Sequence, residues 1–372
     1  MKPLIKWPGG KSGEIEKVKD YVPKFERYFE PFFGGGAMFF FLEPPRAAVN
    51  DASPLLMEYY GLVKVRDALL RELLLGYDEG FVSLYRICSE RYADIYALYD
   101  EFSSRRLDGE ALNAGLLAFA SALSEMLAKG AAAGLVLDEE IFAGSLAASA
   151  ADKIKRTATN DAKKTFPAED LKENLLTGFM SGFYRYFRGV CNGMKLGKTP
   201  VPSAQYRAAN FYFIREYCYG SMFRYNSGGE FNIPYGGISY NAKNFRAKID
   251  NMFSERTADV LAGADISCCD FEDFLDGAEP SKDDFIFLDP PYDTDFSDYS
   301  GRKFGRGDQR RLASLLKEAR AKIMLVIKRT DFILDLYKEG FYISSFGSRY
   351  RYNVRSRNER SAEHLVITNF PL

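Results

Sequence analysis

The chain has 372 residues, enough for one large domain or two ordinary ones with a substantial core. Hydrophobic residues make up 47% and charged residues 27%, a balance that excludes a disordered chain. The net charge is −1 and there is one histidine, so a serine-hydrolase triad or a histidine-rich zinc site would depend on His364 alone. His364 sits in the strand-like run Ala362–Ile367 and reads as structural. The cysteines, Cys88, Cys191, Cys218, Cys268 and Cys269, contain no C-x-x-C pair and read as buried thiols. The N-terminus lacks the apolar run of a signal peptide, and no stretch reaches the roughly 18 uninterrupted apolar residues of a membrane span. These features predict a cytoplasmic protein with no membrane and no metal.

In chain order, Lys6-Trp7-Pro8-Gly9-Gly10-Lys11-Ser12 ends like a phosphate-binding loop. That loop needs an earlier glycine where Ile5 stands, and the segment precedes the first strand, so an ATPase is excluded. Tyr28-Phe29-Glu30 reads as a strand running into Pro31-Phe32-Phe33-Gly34-Gly35-Gly36 and an apolar helix. Glycines at such a turn let the backbone approach a cofactor closely. The next strand, Ala47–Asp51, ends in a carboxylate able to accept hydrogen bonds from ribose hydroxyls. This pairing suits nicotinamide and S-adenosylmethionine sites equally.

From about Leu56 to Asn241 the pattern turns helical, and Ala111–Ala151 is alanine-rich, which favours helix but supplies little core volume. Strand signals return at Ile266–Asp270, Phe285–Asp289 and Lys322–Ile327, with a helix over Gln309–Arg320. Gly340–Phe346 and Glu363–Asn369 predict an antiparallel hairpin at the sheet edge. Short buried strands alternating with helices predict an α/β fold with a mostly parallel sheet. The helical stretch, 56–242, then splits one domain into blocks 1–55 and 243–372. Two basic clusters punctuate the second block: Arg302, Lys303, Arg306, Arg310 and Arg311, then Arg349, Arg351, Arg355, Arg357 and Arg360.

The cofactor is settled by Asp289-Pro290-Pro291-Tyr292 at the end of a strand. Two prolines make a stiff loop without amide donors, so it presents acceptors: the Asp289 carboxylate and the Pro290 carbonyl. An exocyclic amine has two hydrogens to give, and Tyr292 can stack on its base. Two acceptors favour a tetrahedral nitrogen whose lone pair can attack a methyl group in line with a departing sulfur.

These motifs, in this order, resemble the Dam-type DNA adenine methyltransferases (D12 class, alpha group) over residues 4–55 and 205–372. The resemblance implies a Rossmann-like seven-stranded sheet with an inserted, mainly helical DNA-recognition domain. It implies S-adenosylmethionine as cofactor, held by Trp7, Gly10, Lys11, Glu30, Pro31, Phe32, Gly34, Gly36, Asp51, Asp270, Phe271 and Asp289. Asp289, Pro290, Pro291 and Tyr292 become the catalytic residues, acting on N6 of an adenine flipped out of double-stranded DNA. Phe223–Gly236 resembles the family's recognition segment, with a hairpin near 223–236. Arg224 and Lys6 are the implied site-reading residues and Asn226 a further DNA contact; the basic loop from Arg349 to Arg360, with Arg355 and Arg357, is expected to hold phosphates. A bacterial or phage-encoded enzyme is expected; the oligomeric state stays open, with a monomer the first expectation.

The chain also departs from the family. Gly220-Ser221 stands where GATC-recognising members carry asparagine-glycine, and Asp293-Thr294-Asp295 where they run Pro-Leu-Ser. The insertion is longer than usual over residues 100–200, and the recognised sequence stays open. Enzymes acting on a glutamine side chain or an RNA base more often carry asparagine first in the tetrapeptide. A DNA-binding remnant without activity would not need intact Asp289 and Tyr292.

Overall fold

The computed structural model describes residues 1–7, 13–292, 304–349 and 361–371. A short helix, α1 (Ile15–Val18), precedes β1 (Tyr28–Glu30), α2 (Ala37–Leu42), β2 (Ala47–Asn50) and α3 (Pro54–Lys64). Seven helices follow: α4 (Ala68–Glu90), α5 (Tyr92–Ser103), α6 (Gly109–Lys129), α7 (Glu139–Asp161), α8 (Ala168–Lys195), α9 (Ala204–Tyr217) and α10 (Phe245–Met252). The sheet then resumes with α11 (Glu255–Ala262), β3 (Ala264–Ser267), α12 (Phe271–Ala278), β4 (Phe285–Leu288), α13 (Arg306–Glu318) and β5 (Lys322–Lys328). The described elements end with α14 (Asp331–Tyr337), β6 (Tyr342–Arg349) and β7 (Ser361–Thr368).

The seven strands form one sheet in the order β3-β2-β1-β4-β5-β7-β6, the Rossmann-like arrangement expected. β3, β2, β1, β4 and β5 run parallel to one another, and β7 is antiparallel to both β5 and β6. Strands with helices on both faces need continuous apolar runs, and β4 (Phe-Ile-Phe-Leu) is buried at every position. From β1 the chain steps outward one way through β2 and β3, and from β4 the other way through β5. The switch point therefore lies between β1 and β4, where a parallel sheet opens a crevice at its C-terminal ends. At the opposite end, Arg27 Nη2 pairs with the buried Asp284 Oδ2 at 2.7 Å and ties β1 to β4.

The expected antiparallel hairpin exists, but its second strand inserts between β5 and β6. β3 starts and ends earlier than predicted. Cys268–Asp270 leaves the sheet because the Asp270 side chain accepts a hydrogen bond from Glu272 N and caps α12. None of the five cysteines forms a disulfide; Cys88 and Cys218 are buried as expected, whereas Cys191 and Cys269 are half-buried and Cys268 is exposed in that turn.

Residues 1–66 and 253–372 form one compact unit and residues 67–252 another. Thus α3, counted from sequence with the insertion, lies with the sheet: Tyr60 packs its ring 4.8 Å from Phe33, and Lys64 Nζ donates to Ala264 O. Conversely, α10 lies with the helices, its Phe245 ring 5.7 Å from Tyr212.

The helical unit is cored by rings, among them Tyr77, Phe81, Phe183, Phe187, Phe213 and Tyr217. Asp67, Asp108, Asp138 and Ser203 cap four of its helices through their side chains. α6 is long and apolar enough by composition to cross a membrane, yet it packs on α7 as a bundle helix. The alanine-rich stretch contributes by closeness rather than volume. Ala143, Ala147, Ala150 and Ala151 are buried, and a Cβ built on Gly182 of α8 would stand 2.6 Å from Leu146 Cα on α7.

Candidate active site

The ends of β3, β2, β1 and β4 each run into a segment singled out from sequence: Asp270, Asp51, Pro31–Gly36 and Asp289–Tyr292. One residue that sequence reasoning passed over ties three of these ends together. Asn50, 1% exposed, donates to Pro31 O and Cys269 O at 3.1 Å each and accepts from Cys269 N at 2.9 Å. A buried side chain using donor and acceptor in this way sets the spacing between the loops.

The glycine turn has the required backbone. Gly34 (φ 50°) and Gly36 (φ 65°) lie in the left-handed region, and Gly36 precedes the first turn of α2. Trp7 lies against the turn, so closely that a Cβ on Gly34 would fall 2.7 Å from its ring. Asp51 braces the same turn: Oδ2 accepts from Gly34 N and Oδ1 from Ser53 N, each at 2.9 Å. Burial pushes the Asp51 carboxyl up to about 6, against the lowering effect of the two amides.

Glu30 was expected to line the cofactor pocket. It is 2% exposed, and its Oε2 accepts from Tyr28 OH at 2.8 Å. Burial raises its carboxyl well above the ordinary range, and the nearby charges of Asp289 and Asp51 add to that. Its hydrogen bond with Tyr28 lies in β1, just before the turn. Phe32, Phe271 and Phe304 form a ring cluster beside Asp270, with centroids 5.5–5.9 Å apart.

In the tetrapeptide, Pro290 is buried, while Asp289, Pro291 and Tyr292 are half-buried. Two neighbours that sequence reasoning did not assign to the site hold it. Gln309 of α13, fully buried, donates through Nε2 to Pro291 O at 2.9 Å. His364 of β7, also fully buried and stacked on Phe346, lies with Nε2 3.0 Å from Tyr292 OH. His364 is structural, as read, and the structure it supports is the pose of Tyr292. No spacing rule could have found this pair, because 72 residues separate them.

The basic residues on α13 are engaged within the protein. Arg311 pairs with Asp270, Glu272 and Asp308 at 2.5–3.1 Å, and Arg306 and Arg310 lie over the Phe332 ring. Asp270 thus meets Arg311 as well as the α12 amide. Gly10, Lys11, Arg302, Lys303, Arg355 and Arg357 lie outside the described residues, and Lys6 is exposed.

In the helical unit, Phe223–Gly236 forms a turn pinned to α8 and α9. Tyr225 and Phe231 form an antiparallel bridge, and Asn192 of α8 holds both N and O of Phe231. Arg188 and Tyr184 of α8 donate to Ile233 O, and the buried Arg215 of α9 donates to Ser221 O and Met222 O. Arg224 is exposed, its Nε donating to Asn232 Oδ1 at 3.0 Å. Asn226, expected to face DNA, uses its side chain to build the turn, bonding Gly228 N, Glu230 N and Glu230 Oε2.

Comparison with known proteins finds DNA methyltransferases. Type II methyltransferase M.CviBI of Paramecium bursaria Chlorella virus NC1A is 24% identical over the whole of both chains. Type II methyltransferase M.MjaIII of Methanocaldococcus jannaschii is 25% identical over 100% of this chain and 99% of its own. The DNA adenine methylase of Haemophilus influenzae is 31% identical over 35% of this chain and 46% of its own. The family model of the D12 class N6 adenine-specific DNA methyltransferases matches residues 7–101 and 140–352. The chain belongs to that family.

Proposed function

We propose that the chain transfers the methyl group of S-adenosylmethionine to N6 of an adenine flipped out of double-stranded DNA. The observation that carries this reading is Asp289–Tyr292 at the end of β4, beside the glycine turn of β1 and with Tyr292 posed by His364. The crevice suits the cofactor: two left-handed glycines open the turn, Asp51 offers a carboxylate, and Phe32 and Phe271 offer an apolar wall. Trp7, Gly10, Lys11, Pro31, Phe32, Gly34, Gly36, Asp51, Asp270, Phe271 and Asp289 would hold it. When bound, S-adenosylmethionine supplies an electrophilic methyl on a positively charged sulfur. Asp289 and the Pro290 carbonyl accept the amine hydrogens of the adenine, and the Tyr292 ring stacks on the base. Stacking within a duplex blocks in-line approach to N6, so the base must leave the helix.

The ribose role of Asp51 predicts a pH dependence. An ionised carboxylate is the stronger acceptor for hydroxyls, and Asp51 loses its charge as pH falls through about 6. Cofactor affinity should be flat above that pH and weaken below it, by up to about tenfold per unit for one linked proton. Asp51→Asn should flatten the profile. Calorimetric titration across pH checks both, and an unchanged slope in Asp51→Asn would remove Asp51 from the cofactor site.

The reading as a whole is tested by incubating the protein with tritiated cofactor and duplex DNA, then mapping the methylated bases. Label in N6-methyladenine at one sequence supports it, while label in RNA or protein overturns it. In the same assay Arg224→Ala should relax discrimination at one base pair by about 1–3 kcal/mol, because arginine reads a base edge with directed donors. Equal weakening of cognate and mismatched duplexes would reduce Arg224 to a phosphate contact. Lys6 is the second proposed site reader, and Asn226 supports Arg224 by shaping its turn. Arg355 and Arg357 are proposed to hold phosphates.

A further inference from the structure

The helical unit contains a cleft of about 350 Å³ between α7, α8 and the end of the Arg224 segment. Lys153 and Arg156 line it from α7 and Arg185 and Arg188 from α8; Asp152 is the one carboxylate in the lining. Four cations against one anion is a local excess in a chain whose net charge is −1. The spacing is deliberate in a helical sense. Ser149, Lys153 and Arg156 share one face of α7, and Ser181, Arg185 and Arg188 one face of α8. Asp152 reaches Arg185 only at 4.0 Å. Lys153 is half-buried beside Arg156, and burial and that like charge both lower its pKa. Clustered, partly dehydrated cations are costly unless an anion joins them. The rim is fixed: Arg188 Nη1 and Tyr184 OH both bond Ile233 O, and Pro234 and Tyr235, which follow, line the opening.

We propose that this cleft binds a phosphodiester of the DNA backbone and so sets the register of the Arg224 segment on the duplex. The proposal rests on the reading of DNA as the substrate. Phosphate contacts position a protein and base contacts specify, and here one rigid segment joins the two. Serine hydroxyls and arginine forks are the donors a phosphate oxygen takes.

The test uses the full chain and Lys153→Gln/Arg156→Gln. The double variant should bind cognate and mismatched duplexes alike about tenfold or more weakly at low salt, with a salt slope smaller by about one to two units. Its thermal unfolding should match the wild type. Duplexes that each carry one neutral methylphosphonate identify the ligand. One position should weaken the wild type and leave the double variant unaffected. Wild-type affinity and slope in the variant, or equal sensitivity of both proteins at every position, would overturn the proposal. Should the double variant fold poorly, Arg156→Glu, at an exposed position, carries the same comparison. Inorganic phosphate is the second probe. If it raises the melting temperature of the wild type alone while the DNA salt slopes agree, the cleft takes free phosphate and the backbone assignment fails. Failure of the underlying reading looks different, since the wild type itself would then leave DNA unmethylated.

Discussion

Asp289→Ala should fold and bind DNA as the wild type does while methyl transfer falls about a hundredfold or more. The carboxylate stands half-buried just past β4, and the structural ion pair of that strand belongs to Asp284 at its other end. Its charge also disfavours ionisation of the buried Glu30. What disappears is one of the two acceptors proposed for the amine hydrogens. Losing such an acceptor costs roughly 3 kcal/mol of transition-state stabilisation, hence the hundredfold. Single-turnover transfer of tritiated methyl, with DNA affinity and melting temperature measured on the same sample, separates chemistry from folding. A near wild-type rate would show that the strand-end carboxylate is not part of the chemistry.

Gly182→Leu should be the most damaging single change in the helical unit. The added Cβ would lie 2.6 Å from Leu146 Cα and 2.8 Å from Ser145 O, and neither backbone atom can yield without moving a helix. Overpacking of this kind costs about 1–3 kcal/mol, and more where backbone is the obstacle. For a unit of this size about 3 kcal/mol corresponds to a fall of roughly 6–12 °C in melting temperature. Gly144→Ala on α7 is the control, because nothing lies within 4 Å of a Cβ there. It should stabilise slightly, as alanine does in a helix interior. If both variants melt alike, the close crossing of α7 and α8 does not limit stability.

The sequence by itself determined what depends on short stretches of chain. The apolar runs became β1, β2, β4 and β5, and the glycine turn follows β1 with the positive φ angles that only glycine takes readily. The tetrapeptide's stiffness and acceptors are properties of its four residues. Only the tertiary structure decided which distant groups meet them. Asn50 joins strand ends across 219 residues, and His364 reaches Tyr292 because β7 inserts beside β5. Composition placed Arg311 in a basic cluster, whereas the fold surrounds it with three carboxylates. It likewise marked the alanine stretch as poor core, although small side chains are what let α7 and α8 approach so closely. Periodicity reports which face of an element is buried; it says nothing of the partner on the other side. Hydrogen bonds and charge pairs over long separations exist only once the sheet and the bundle have closed, so that part of the site was decided by packing.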